Sequence, residues 1–457
     1  MRRLIKYMTN VLSQRISTLF KSRFAHNVAL TASGTALAQA INLAVSPIIT
    51  RIYGPEAFGA LGSFTAIVSL LGTVSALSYP IAIVLPASNQ DAIGLARLSL
   101  VLTMVTALCL SIVCIAWYDP ILDFFNLQTL GRQVFFLVPA VVGAGMMSVT
   151  SHWLIRNHRF HIEARIKVMQ AIWINTAKVG FGIIWPISAV LIGIAAIASF
   201  LHSLLVMSTD RSLAYSVFDP KQLLQWCRSK KTPMGLARRY LEFPFYRTPQ
   251  NLINSLSQNM PILLLGGLFG LQVVGFYALA RSVLAAPVQL IGNSVKTVFF
   301  ARISSAKNHG EPLQPLILRS VLGLTALGSL PFGATIAFGP TLFAYLFGAS
   351  WREAGEYSQW LSIWLMFAIA NRPCVSAIPV LQLEKFMLLY EVALAISRAL
   401  SILAPHYFGY SALDSIRLFS VVGALFNATL IPLVSAVATK SDNADKNGNQ
   451  TIAPDPK

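Results

Sequence analysis

Charge is scarce in this sequence. Only 11% of its 457 residues are Asp, Glu, Lys or Arg, against roughly a quarter in ordinary soluble domains. Acid is scarcer still, with 17 Asp/Glu against 35 Lys/Arg, and none precedes Glu56. The four cysteines, Cys109, Cys114, Cys227 and Cys374, form no CxxC pair and no metal-ligand spacing, which excludes a zinc module and a disulfide framework. No G-x-x-x-x-G-K loop occurs, so ATP is not expected to drive the protein. Short alternating strands are missing as well, which argues against a β-barrel. His158 and His161 stand among Arg156, Arg159 and Arg165, a setting that repels a metal cation. No metal and no cofactor are expected.

Apolar residues fill the space that charge leaves: 55% of the chain is hydrophobic. Runs of 18 or more apolar residues recur along most of its length, and about 20 helical residues cross a bilayer. Lipid offers the backbone no hydrogen bonds, so such spans must be helices. The reading is an all-α integral membrane protein of about twelve transmembrane helices, near 28–50, 58–85, 93–117, 133–154, 168–187, 189–207, 248–268, 273–300, 317–339, 358–381, 386–404 and 415–438.

The net charge of +18 is a topology signal here and not a nucleic-acid one, because the bases sit in short loops. With both termini in the cytoplasm, only Arg51, Arg132, Arg352 and Arg417 of the 35 Lys/Arg fall outside, while Lys178, Arg281, Lys296, Arg372 and Arg398 lie within spans. That bias follows the positive-inside rule. Residues 1–27 carry Arg2, Arg3, Lys6, Arg15, Lys21 and Arg23 without an acid or a cleavable apolar stretch. They are expected to lie on the membrane surface as an amphipathic basic helix, in contact with lipid. A basic cytoplasmic linker, 208–247, separates an N-lobe of six spans (28–207) from a C-lobe of six (248–438). Residues 439–457 are polar and expected to be a disordered tail.

The two lobes repeat one another. Arg51-Ile52-Tyr53-Gly54-Pro55-Glu56-Ala57-Phe58-Gly59 between spans one and two aligns with Phe269-Gly270-Leu271-Gln272-Val273-Val274-Gly275-Phe276-Tyr277 between spans seven and eight. Leu154-Ile155-Arg156-Asn157-His158-Arg159-Phe160 echoes Leu381-Gln382-Leu383-Glu384-Lys385-Phe386. Six spans is an even number, so both copies start on the same side. The lobes are therefore related by a parallel pseudo-two-fold axis along the membrane normal, which is a transporter plan.

The segment Thr50 to Gly59 resembles the first periplasmic turn of bacterial polysaccharide flippases, the O-antigen (Wzx-type) branch of the multidrug/oligosaccharidyl-lipid/polysaccharide exporter superfamily. Ala82-Ile83-Val84-Leu85-Pro86, the stretch Gly275-Phe276-Tyr277-Ala278-Leu279-Ala280-Arg281 running to Phe299-Phe300-Ala301-Arg302, and Phe347-Gly348-Ala349-Ser350-Trp351-Arg352-Glu353-Ala354-Gly355-Glu356-Tyr357 are similar to that branch too. Two departures stand out: Ser78-Tyr79-Pro80, where relatives carry charge around the tyrosine, and Ala301, where they carry proline. The first withholds from span two any site role carried over from the family.

The resemblance implies a non-enzymatic carrier in the bacterial inner membrane. Its cargo would be an oligosaccharide on a polyprenyl diphosphate, moved from the cytoplasmic to the periplasmic leaflet by alternating access. Polysaccharide polymerase and chain-length machinery are then candidate partners. An anionic head needs a polar or cationic cavity, and a charge buried in a bilayer normally faces a cavity or a partner. Lys178, Arg281, Arg398 and Arg372 are the cationic candidates, Arg being suited to a diphosphate by its planar fork. An internal Arg398–Glu391 link and a structural role for Arg372 before Pro373 are the competing assignments. Gln39, Asn42 and Ser46 form a polar stripe on span one, and Asn251, Asn254 and Gln258 a corresponding stripe on span seven. Each could line a cavity or bond to a neighbouring helix. Glu391 is the candidate for ion coupling.

Two rivals remain. A cation-coupled multidrug extruder of the same superfamily should place acid in the membrane early in the chain. A polysaccharide polymerase or ligase should carry a large outer loop with catalytic groups, whereas residues 340–357 offer only Arg352, Glu353 and Glu356.

Overall fold

The structure is a computed structural model that describes residues 23–118, 131–219 and 231–450, with 120 and 226. The expected basic helix over residues 1–27 lies almost wholly outside them. The helices are α1 (Arg23–Ile52), α2 (Pro55–Ser75), α3 (Tyr79–Ala82), α4 (Asn89–Ala116), α5 (Leu137–Arg156), α6 (Phe160–Ile184), α7 (Ser188–Thr209), α8 (Arg211–Val217), α9 (Lys231–Arg239), α10 (Thr248–Phe269), α11 (Leu271–Asn308), α12 (Leu313–Phe347), α13 (Arg352–Ala370), α14 (Arg372–Ala377), α15 (Glu384–Tyr407) and α16 (Ala412–Gln450). Among the described residues 10 helical segments are long and apolar enough to cross a bilayer. Helices also occupy the other two expected spans, as α6 and α13, but neither meets that composition. Glu163, Lys167 and Lys178 on α6 and Glu353 and Glu356 on α13 dilute their hydropathy.

Large apolar side chains face outward along the spans, Leu330 and Ile183 among the most exposed. That is the surface lipid requires, since exposing apolar groups to hydrocarbon costs nothing.

The chain divides into two compact units, unit 1 (Met1–Ile52, Phe64–Phe124, Gln128–Asn259) and unit 2 (Tyr53–Ser63, Phe125–Leu127, Met260–Lys457). Residues 53–63 thus belong with the later half and 248–259 with the earlier one, and each assignment has a local cause. In unit 2 the outer end of α2 meets the start of α11 backbone to backbone. A Cβ added at Gly59 would overlap the Leu271 carbonyl oxygen, and one at Gly275 the Pro55 carbonyl oxygen. Gly59 and Gly275 are one of the two glycine pairs that the internal repeat aligns, the other being Gly54 and Gly270. In unit 1 polar bonds tie α10 to α2: Ser69 Oγ lies 3.2 Å from Ser255 Oγ, and Asn259 Nδ2 donates to Ser69 Oγ at 3.3 Å.

The family-like motifs acquire physical reasons. In unit 2, Trp351 is fully buried and takes Phe58 edge-on at 5.1 Å and Phe276 at 6.1 Å. Phe276 in turn meets Tyr357 at 5.9 Å. Three separate sequence motifs therefore supply one aromatic knot, an arrangement worth about 0.5–1.5 kcal/mol per pair beyond burial. In unit 1, Arg156 ends α5 and donates to the carbonyls of Ile83 (3.1 Å) and Pro86 (2.6 Å) and to Asn89 Oδ1 (3.1 Å). It gathers acceptors that the turn after α3 leaves without helical partners.

The expected disordered tail is corrected over 439–450, where α16 continues as helix to Gln450. Asp442 explains why: its carboxylate accepts from the Leu313 and Gln314 amides at 2.8 and 3.1 Å, capping the first turn of α12. Lys307 Nζ donates to Ser441 Oγ at 2.7 Å. Residues 451–457 lie outside the described ones.

Candidate functional site

Two polar regions stand out, one in each unit. In unit 2 the Arg398 guanidinium lies 4.4 Å from the Trp364 ring centre and 5.4 Å from that of Phe419, while the two rings meet edge to face at 5.3 Å. Gly423 makes the stack possible, since a Cβ there would press on the Trp364 indole. Flat cation and flat ring hold each other by attraction to the ring quadrupole, so Arg398 is fixed without an ion pair. The link to Glu391 is not formed. Glu391 is exposed on α15, two turns away, and the described ion pairs do not include it. Tyr277 is buried in the same unit, one turn before Arg281 on α11. Besides Asn371 Oδ1 and Arg372 Nε, four polar atoms of this unit are buried with no described partner: Arg398 Nε, Trp364 Nε1, Ser362 Oγ and Ser420 Oγ. Buried donors normally have partners, so such a group of donors is suited to an acceptor-rich guest.

Arg372 stands apart from that group. It opens α14 at the break after Asn371, its own Nε buried and unbonded, while its carbonyl accepts from Ser376 Oγ at 2.9 Å. Asn371 Nδ2 donates to Asn427 Oδ1 at 3.2 Å. Lys178 belongs to unit 1, half-buried on α6 one turn beyond Asn175. Asn175 donates to Asn42 Oδ1 at 2.6 Å, so this member of the span-one stripe joins helices α1 and α6. Gln39 is half-buried, and Ser46 Oγ is buried without a described partner. On α10, Gln258 donates to Asn254 Oδ1 at 2.6 Å and both are exposed. Asn251 reaches across to Ser78 Oγ at 3.3 Å.

Ser78 marks the second region. Leu77 and Ser78 have φ of 48° and 57°, left-handed values that cost non-glycine residues roughly 1–2 kcal/mol each. They break the expected continuous span 58–85 into α2 and α3. Thr248 Oγ1 donates to Ser78 Oγ at 3.0 Å, and Tyr79 Oη donates to the Ala237 carbonyl at 3.1 Å. Beside the break opens a cleft of about 180 Å³ lined by Gly72, Thr73, Ser75, Ser78, Ser148, His152 and Asn251, with Ala76, Pro80 and Ile81.

One buried charge cluster had no counterpart among the expected site residues. In unit 1, His202 is fully buried, its Nε2 3.4 Å from Glu163 Oε2. Lys167 Nζ lies 3.4 Å from Glu163 Oε1, which also accepts from Ser151 Oγ at 3.3 Å. Burial pushes the Glu163 carboxyl up, but the nearby His202 imidazole and the Lys167 ammonium outweigh it and hold the group below its ordinary value. A lone histidine in the apolar run 189–207 was the available signal.

Residues 48–356 match a family described as "Polysaccharide biosynthesis protein". The chain belongs to that family. It is 22% identical over 260 residues to the amylovoran biosynthesis protein AmsL of Erwinia amylovora, a match over 56% of this chain that spans 63% of the relative's length. Among solved structures it is similar to the lipid II flippase MurJ in an inward closed conformation, with TM-score 0.67, 13% identity and 94% of each chain covered. An inward-facing multidrug resistance MATE family transporter of the MOP superfamily gives TM-score 0.64 at 14% identity, covering 91% of this chain and 96% of that one. The all-helical membrane fold of this family member is thus that of the superfamily that the sequence motifs pointed to.

Proposed function

We propose that the protein is a flippase for polyprenyl-diphosphate-linked oligosaccharide repeat units, turning them from the cytoplasmic to the periplasmic leaflet of the inner membrane by alternating access. The observation that carries the proposal is the arginine pair of unit 2. Arg398 is held against the rings of Trp364 and Phe419 with its Nε unbonded, and Arg281 is a second arginine of the same unit, on α11. A pre-positioned guanidinium with spare donors suits a diphosphate, which accepts bonds in pairs. Lys178 is a further cationic candidate, within unit 1, where the polar stripes would take hydroxyl groups of the glycan. Membership in a polysaccharide biosynthesis family supports the cargo class, and the carrier fold supports transport without bond making. Both termini would lie in the cytoplasm.

The test is the triple variant Lys178→Ala, Arg281→Ala, Arg398→Ala in a strain lacking the wild-type gene. Loss of surface polysaccharide, with lipid-linked repeat units retained on the cytoplasmic side, is expected. Full surface polymer at normal protein level would overturn the cationic reading.

A further inference from the structure

We infer that the cleft beside the Ser78 break is a binding subsite for one uncharged pyranose ring of the glycan. The inference deepens the flippase reading and rests on it.

The lining decides the ligand class. Ser78, Ser148, Thr73, Ser75, Asn251 and His152 contribute hydroxyl, amide and imidazole groups, and no charged residue is among those lining the cleft. A phosphate would find no cation there, and a cationic drug no carboxylate. The apolar members, Ala76, Pro80 and Ile81, suit the C–H face of a sugar ring.

The bonding pattern leaves both donors and acceptors available, as vicinal hydroxyls need. Ser78 Oγ accepts from Asn251 Nδ2 and is bonded to Thr248 Oγ1, whose single proton is shared with the Phe243 carbonyl at 3.2 Å, so whichever hydroxyl donates, Ser78 keeps one position, a proton or a lone pair, for the cleft. Asn251 keeps its carbonyl oxygen and one N–H. His152 Nδ1 lies 2.8 Å from the Ser148 carbonyl, which can only accept, so the neutral ring carries its proton there and presents Nε2 as an acceptor.

The backbone supports the same reading. Two successive non-glycine residues in the left-handed region lower stability and persist only where the surroundings hold them. Here the Tyr79 Oη bond to Ala237 and the Thr248 bond to Ser78 do so. The strained turn places the Ser78 hydroxyl in the wall of the cleft, where a continuous helix would have carried it elsewhere.

The experiment uses the full chain in lipid nanodiscs and two probes: the oligosaccharide repeat unit released by mild acid from the host's own surface polymer, and inorganic pyrophosphate. Binding is followed by saturation-transfer NMR for the sugar and by phosphorus NMR for pyrophosphate. Asn251→Ala and His152→Ala should each weaken oligosaccharide binding about fivefold to tenfold, the loss of one or two neutral hydrogen bonds. Pyrophosphate binding should persist in both, which also reports that the variants fold. Oligosaccharide binding unchanged in both variants, or absent in the wild type, overturns the subsite. A parallel loss of both probes overturns it too, as a general loss of fold. The flippase reading fails separately, if the wild type binds the sugar but neither binds pyrophosphate nor moves lipid-linked repeat units.

Discussion

Unit 1 and unit 2 each have a polar interior, and they build it from opposite materials. Unit 2 fixes arginine on aromatic rings and holds several buried donors without a described partner. Unit 1 uses neutral hydroxyls and amides beside a strained helix break, and keeps its buried charge in a self-compensating Glu163–His202–Lys167 cluster. The lesson is that a repeat can conserve topology while the two copies specialise. Aligned stretches such as Gly59 and Gly275 serve packing, and the chemistry differs between the units.

Replacing Arg398 breaks this contrast most severely. Arg398→Ala should reduce transport on the order of 100-fold, the equivalent of one or two charge-assisted hydrogen bonds, measured as appearance of glycan on the outer leaflet of vesicles. Arg398→Lys should recover part of it, since the charge returns without the planar stack.

Packing at the repeat glycines comes next. Gly275→Val must push a side chain into the Pro55 carbonyl and should destabilise the fold by about 1–3 kcal/mol, read as a lower melting temperature in detergent; Gly267→Ala, in a helix where a Cβ meets nothing within 4 Å, is the control and should melt no lower than the wild type.

The charge cluster of unit 1 gives a pH test. Glu163 has its carboxyl held below the ordinary value of about 4.3, so the stability it supplies is complete above that pH. It is lost as pH falls through the lower folded value. The melting temperature should therefore drop on acidification below about pH 4, and Glu163→Gln should flatten that part of the curve. An unchanged slope in the variant would remove Glu163 as its cause.

The smallest effect is expected at the cap. Asp442→Ala should cost about 1 kcal/mol and leave transport intact.

Much of this was legible in the sequence. The spans were, because 20-residue apolar runs have few alternatives. Arg281 and Arg398 were visible as lone charges in apolar surroundings. Their aromatic partners were not, since Trp364 and Phe419 look like ordinary span residues and only tertiary packing stacks them on Arg398. Glu163 escaped notice because it precedes the apolar run from 168, and its partner His202 lies on the next helix. The expected span 58–85 ran through Pro80 as one helix. The left-handed turn comes two residues earlier, where neither Leu77 nor Ser78 favours it, so the surroundings impose it. Asp442 sits in a polar stretch whose composition alone suggested disorder. Its role depends on the start of α12, far away in sequence.

The three longest helices all belong mainly or wholly to unit 2: α11 with 38 residues, α12 with 35 and α16 with 39. At 1.5 Å per residue the last is about 58 Å long, longer than a bilayer with its headgroups at about 40–45 Å. The Asp442 cap and the Lys307–Ser441 bond join the end of α11 and the start of α12 to the C-terminal part of α16, so the three longest helices share one stapled end.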